Sequence, residues 1–448
     1  MKDAMIRIKE AELYNIKNVE YGKIDFTNDN STLNKPTRSE IVGIYGQNGS
    51  GKTAFVDAMW LIKYLISGKE LPKNAGDFIF ENEETATIKI VFDLNKGESK
   101  YQIFYEVEIK RTDESEAKVI RENLAYKEIV DGVWKNKAGI IDYNSANKES
   151  VFKPVKNYRM LTSNNSSVQI DLGVAKKMSE KNSTSFVFGI ELEEIIKNND
   201  AFKSYTDIIL DLKNYANINL FIIKNHHSGM INMNVLHGDL AIGLLKPSVV
   251  PEEVYNLAVK IIDQMNIVLE TIVPGLNIGL KNHGKQIRED GNEGIRIELI
   301  SLRDNIKVPL KYESDGIKKI ISILSTLITM FNNPSVCMVI DELDAGIFEY
   351  LLGEILQIIS ENGKGQLIFT SHNLRPLEML DTSSIIFTTT NSKNRYMRFT
   401  NVKSNNNLRN LYYRSINLGG QKEKIYKETN SFDISRAFRI AGRMIDEN

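Results

Sequence analysis

The 448-residue chain holds one cysteine, Cys337, so a disulfide within it is excluded, and a reducing cytoplasm is the expected setting. Cys337 lies in an apolar run and is expected only to pack there. No apolar run reaches the length of a membrane span, and the first residues, MKDAMIRIKEAELYNIKNVEY, lack a signal-peptide core. No heptad pattern persists over three or more repeats, which excludes a long coiled-coil arm. His226, His227, His237 and His283 show no metal-ligand spacing. Net charge is also scarce, at −1. That balance hides an asymmetry. From Asn391 onward there are twelve lysines and arginines against five acids, a net +7 that leaves −8 on the rest. A basic tail on an acidic body fits either nucleic acid or an acidic protein partner. The 42% hydrophobic and 26% charged residues fit a soluble chain with a large core in two or three lobes.

The most informative stretch is IVGIYGQNGSGKTAFVDAMWLIKYL, residues 41–65. Ile41 to Tyr45 read as a buried strand, and Phe55, Met59, Ile62 and Leu65 fall at helical spacing. Between them, Gly46, Asn48, Gly49, Gly51, Lys52 and Thr53 complete the G-x-x-x-x-G-K-[ST] pattern in its strand-loop-helix setting. Glycines let the loop curl with its N–H groups inward, and the helix N-terminus adds positive potential, so the turn suits phosphate. Lys52 is expected to reach the β- and γ-phosphates, and the Thr53 hydroxyl to hold Mg²⁺.

A second apolar run, VCMVIDE at 336–342, ends in two acids at the expected carboxyl edge of a sheet. Asp341 is assigned to the Mg²⁺ shell and Glu342 to the general base that polarises the attacking water. QLIFTSHN, residues 366–373, is another buried strand, and its His372 is expected to meet the γ-phosphate or that water.

Taken together, the phosphate loop, CMVIDELDAG and FTSH resemble the ATP-binding-cassette ATPase head in its SMC, RecF and OLD branch. The resemblance covers residues 1 to about 130 and about 290 to 400. It implies an α/β P-loop fold with an antiparallel β lobe, and two protomers that sandwich ATP and Mg²⁺. Ser314 and Gly316, in KYESDGIKK, resemble the degenerate signature motif that caps the partner's γ-phosphate. Asp344 matches the D-loop. Asn15, Lys17 and Asn18 occupy the first-hairpin turn beside the nucleotide, with Ile16 and Lys17 departing from the family's aromatic and arginine. Gln102 and Gln169 are the candidates for the Q-loop glutamine.

Four segments are expected. Residues 1–145 form the first half of the head, 146–285 a helical insertion, 286–390 the second half, and 391–448 a basic tail. TATIKIVFDL and KYQIFYEVEIKR alternate as antiparallel strands do, and PEEVYNLAVKIIDQMNIVLETIV is an amphipathic helix opened by Pro251. In the tail, Arg436, Arg439 and Arg443 share one helical face, with Ile434, Phe438 and Ile445 on the other. The 76 residues after His372 contain no Asp-x-Asp, so the two-metal nuclease module of OLD proteins is not expected there. The functional expectation is a homodimeric or larger ATPase. Its foremost role is the sensor of a bacterial anti-phage defence system that controls a separately encoded effector, a nuclease or toxin. A RecF-like repair clamp on DNA and an ATP-binding scaffold with little turnover are the alternatives.

Overall fold

In the computed structural model, residues 4–26, 39–113, 115–147, 150–163, 166–224, 230–235, 238–304, 306–399 and 407–446 are described. The chain opens with the hairpin β1 (Met5–Ile16) and β2 (Val19–Asp25), then β3 (Glu40–Tyr45) and α1 (Lys52–Ile66). Strands β4 (Thr85–Lys96), β5 (Ser99–Arg111), β6 (Ala117–Val130), β7 (Val133–Trp134), β8 (Ala138–Asn144) and β9 (Phe152–Lys153) follow. Next come α2 (Val155–Thr162), α3 (Ser166–Asn182), α4 (Ile190–Lys197) and α5 (Lys203–Asn214). After β10 (Leu220–Ile223) the chain forms β11 (Met230–Val235), β12 (Gly238–Gly243), β13 (Ser248–Val250), α6 (Glu252–Ile272), β14 (Asn277–Ile287), β15 (Glu293–Arg303) and β16 (Ile306–Pro309). The last part holds α7 (Asp315–Asn332), β17 (Cys337–Ile340), α8 (Glu349–Asn362), β18 (Gln366–Thr370), α9 (Pro376–Met379), β19 (Ile385–Thr388), β20 (Tyr396–Met397), α10 (Leu408–Leu418) and α11 (Ser431–Asp446).

Two sheets organise these elements. The central one runs β10-β17-β18-β3-β19-β20, parallel except at β20. Its strands are apolar apart from end residues such as Glu40, Gln366, Thr370 and Thr388, because both faces are covered, as parallel sheets require. In β17, Cys337 and Val339 face the core shared with α1, while Met338 and Ile340 face the core shared with α6, α7 and α8. The second sheet is antiparallel, in the order β2-β1-β4-β5-β6-β8-β9, with β7 on β6. There the strict alternation of buried and part-buried residues along β4 matches its sequence pattern. Burial pushes the Cys337 thiol up to about 12, which leaves it an unreactive packing group.

The stretch 146–285, expected to be helical, differs from that expectation. It carries α2 to α6, but β10 joins the edge of the central sheet beside β17, with Ile223 opposite Ile340. It also forms the β11–β12 hairpin and begins the sheet of β13, β14, β15 and β16. The apolar run LFII is too short for its period to separate strand from helix, and only the vacant place beside β17 decides it. Among the described residues no helix is long and apolar enough to cross a membrane.

Candidate nucleotide site

The phosphate loop leaves β3 at Tyr45 and enters α1 at Lys52. Two of its glycines are needed sterically. Gly46 has φ +154°, and a Cβ there would lie 1.8 Å from Thr388 Oγ1; Gly51 has φ +95° and backs onto Arg395. Lys52 is buried, and its ammonium donates to the carbonyls of Gly46 (2.8 Å) and Gln47 (3.0 Å). Burial pushes its pKa from 10.5 down to about 8, against the opposing pull of Asp341, Glu342 and Asp344.

Strand register delivers the acids to this loop. Ile340 pairs with Phe369, and Thr370 with Ile44, so β17, β18 and β3 end abreast. Asp341 Oδ1 accepts from Thr370 Oγ1 at 2.7 Å and lies 3.5 Å from Thr53 Oγ1. Glu342 sits at φ +47°, a conformation that costs a non-glycine residue about 1 kcal/mol or more, and its N–H donates to Thr370 Oγ1 at 2.8 Å. Burial, and then the Lys52 ammonium, lower the His372 pKa. The imidazole is therefore neutral at neutral pH and available for hydrogen bonding.

These groups surround one cavity of about 360 Å³. Its wall combines Asn48, Gly49, Gly51, Lys52 and Thr53 with Asp341, Glu342 and His372, and the β1–β2 turn adds Lys17 and Asn18. Asn15 and Lys17 take left-handed conformations (φ +56° and +52°) that curl this turn. The amide of Asn18 donates to the Gly49 carbonyl.

Ser314, Gly316 and Asp344 lie outside that cavity. Ser314 is exposed and caps α7, its hydroxyl accepting from Ile317 N–H at 3.4 Å. Gly316 packs so closely on the loop after β17 that a Cβ would come 1.9 Å from the Gly346 carbonyl. Gln102, on β5, donates to Asp93 of β4 (3.3 Å), and Gln169 is exposed on α3; neither lines the cavity. His283 pairs with Glu298 at 2.9 Å on the surface, while His226, His227 and His237 fall outside the described residues.

Several supporting residues escaped the sequence reading. Lys319 is buried under β17 and donates to the Asp341 carbonyl at 3.1 Å, with its pKa lowered by that burial. Tyr396 donates to the Gly51 carbonyl (2.7 Å), and Arg395 donates to the carbonyls of Thr389 (2.7 Å) and Asn18. Gln47 is gripped from the tail, its Oε1 accepting from Lys427 N–H at 2.9 Å and its Nε2 donating to Lys427 O at 3.3 Å. Asp57 is buried on α1. Its presence inside the apolar run AFVDAMWLI was the one local signal that could have revealed a support of this kind.

No cluster of three metal-binding side chains occurs among the described residues. Magnesium does not need one, since it is held by one or two protein oxygens together with substrate phosphates and water. The hard oxygens of Thr53 and Asp341 fit that requirement.

The site therefore joins a phosphate-binding loop to a paired-acid strand end, the arrangement of a P-loop nucleotide-binding protein. Residues 24–395 match the RecF/RecN/SMC N-terminal domain, and the chain belongs to that family. The family is one of ATPase heads that use ATP and Mg²⁺. Solved structures to which the chain is similar include an SMC head bound to the C-winged-helix domain of ScpA, at 15% identity and a TM-score of 0.40, covering 87% of this chain and 98% of that one. A Pyrococcus furiosus SMC head bound to the C-terminal domain of ScpA has 12% identity and a TM-score of 0.40, with 88% and 96% covered. The Thermotoga maritima SMC head has 15% identity and a TM-score of 0.37, with 88% and 98% covered. No curated protein matches the chain.

Proposed function

We propose that the protein is a Mg²⁺-dependent ATPase that dimerises around ATP and acts as the sensor subunit of a bacterial anti-phage defence system. The observation that carries the ATPase reading is the single cavity in which Lys52, Thr53, Asp341, Glu342 and His372 meet. Lys52 leaves its loop carbonyls for the β- and γ-phosphates. Thr53 and Asp341 would hold Mg²⁺, which when bound would neutralise charge on the phosphate oxygens. Glu342 takes the proton of the attacking water, and His372, neutral at rest, hydrogen-bonds the water or the γ-phosphate. Asn48, Gly49 and Gly51 supply backbone N–H groups, and Lys17 adds charge from the hairpin.

Ser314 caps α7 at an exposed helix N-terminus outside the protomer's own cavity, with Gly316 buried behind it against Gly346, and an exposed terminus of this kind is what a group that completes a partner's site would need. Asp344 belongs to the same seam. The defence role is the finer part of the proposal. It rests on the degenerate signature and on a compact insertion without a long coiled coil. In it the ATPase restrains or releases a separately encoded nuclease or toxin. The repair-clamp reading is favoured by one observation, the exposed basic helix α11 with Arg436 and Arg439. The test is a purified ATPase assay with bound nucleotide quantified. Lys52→Ala should bind no ATP, and Glu342→Gln should bind ATP as wild type does while turnover falls at least about a hundredfold. Equal turnover by wild type and Glu342→Gln would remove Glu342 from its role.

A further inference from the structure

Asp57 lies on the helix that follows the phosphate loop, with its side chain 1% exposed. Both carboxylate oxygens face lysines. Oδ1 is 2.5 Å from the Lys224 ammonium, and Oδ2 pairs with the Lys17 ammonium. One cation suffices to neutralise a carboxylate, so the second calls for an explanation.

The two lysines differ in freedom. Lys224 is buried, with 8% of its side chain exposed, and its ammonium lies 4.0 Å from the Trp60 ring centroid and 5.1 Å from that of Phe78. Its backbone is fixed as well, since it follows β10, whose Ile223 carbonyl accepts from Asp341 N–H at 2.9 Å. Lys17 is 35% exposed at the tip of a hairpin and lines the nucleotide cavity. Lys224 cannot leave Asp57 without a rearrangement of the core, whereas Lys17 needs only new side-chain torsions.

We propose that Lys224 is a positioning residue, the standing counter-ion of Asp57, whose presence frees Lys17 to move from Asp57 to the phosphates of a bound nucleoside triphosphate. The inference rests on the ATP-binding reading. Without Lys224, departure of Lys17 strands a buried carboxylate, which is strongly unfavourable. Lys17 is then locked on Asp57 and lost to the ligand. With Lys224 in place the transfer leaves Asp57 paired throughout, and Lys17 exchanges one anion for another.

Two measurements test this. In thermal melts without nucleotide, Lys17→Met and Lys224→Met should each lower Tm modestly, because Asp57 keeps one cation, while the double variant should lose clearly more than their sum. Additive losses overturn the proposal. In titrations with Mg-ATP, Lys224→Met should weaken binding about tenfold and Lys224→Arg should restore it. Asp57→Asn combined with Lys224→Met should also bind as wild type does, because a neutral amide no longer retains Lys17. A merely structural Lys224 predicts instead that this combination binds no better than Lys224→Met, and that outcome also overturns the proposal. Absence of ATP binding by the wild type contradicts the nucleotide reading, and the melts still decide whether Lys224 can carry Asp57 alone.

Discussion

The carboxylate of Asp344 accepts the backbone N–H of His372 at 3.1 Å, and the same oxygen accepts that of Asn373 at 2.9 Å. A residue assigned to the dimer seam thus holds the loop that carries His372 at the cavity wall. If Asp344 lies at a dimer seam as proposed, a shift there would reach the backbone that carries His372 through these two hydrogen bonds.

Replacing that carboxylate separates positioning from binding. Asp344→Ala should lower kcat about a hundredfold, because His372 loses its anchor. KM for ATP should stay within about twofold, since Asp344 does not line the cavity. Steady-state kinetics decide the matter, and a raised KM with unchanged kcat contradicts the anchoring role.

The depressed pKa of Lys52 sets a pH dependence whose sign is fixed. With a folded value of about 8 against an ordinary 10.5, the folded protein binds fewer protons here than the unfolded chain between those values. The contribution of Lys52 to stability therefore rises with pH through that window. ATP affinity runs the other way. Phosphates favour the charged ammonium, so affinity is full below pH 8 and falls above it, by up to about tenfold per unit. Calorimetry at pH 8.5 in two buffers of different ionisation enthalpy should show proton uptake on ATP binding. A flat affinity from pH 7 to 9 contradicts the assignment.

Helix α11 exposes Phe432 (70%) and Phe438 (76%) beside Arg436 and Arg439. Arg443 belongs to the same helix, but its side chain and that of Ile445 fall outside the described residues. Large exposed aromatics suit a protein surface better than a phosphate groove. Reversal of the three arginines to glutamate should therefore release a bound effector in a pull-down and leave duplex affinity and ATPase rate within about twofold. If α11 instead binds DNA, affinity falls with salt by a slope of about −0.9 per phosphate contact and disappears on reversal.

Sequence alone reveals what is local. The phosphate loop is eight consecutive residues between a strand and a helix, and Asp341 and Glu342 follow an apolar run directly. Their meeting in one cavity follows from the order of parallel strands, which a P-loop pattern followed by a paired-acid strand already implies. The supports are another matter. Tyr396 reaches Gly51 across 345 residues, and Lys427 reaches Gln47 across 380, with no periodicity to announce either contact. Lys319 reads as a surface lysine beside Lys318, and only the fold buries it beneath Asp341. Ser314 and Gly316 are recognisable by resemblance, yet the role proposed for them would belong to a dimer rather than to the chain by itself.

Mixed variants test most directly whether each ATP site is shared between two copies. Ser314→Arg should bind ATP nearly as well as wild type but hydrolyse none, because the added bulk obstructs the partner's site. Lys52→Ala should be inactive for lack of ATP. In an equimolar mixture, with heterodimers confirmed by native mass spectrometry, one of the two composite sites keeps both intact halves. A shared site predicts hydrolysis in the mixture where each variant alone has none. A mixture as inactive as its components, with heterodimers present, contradicts the shared site.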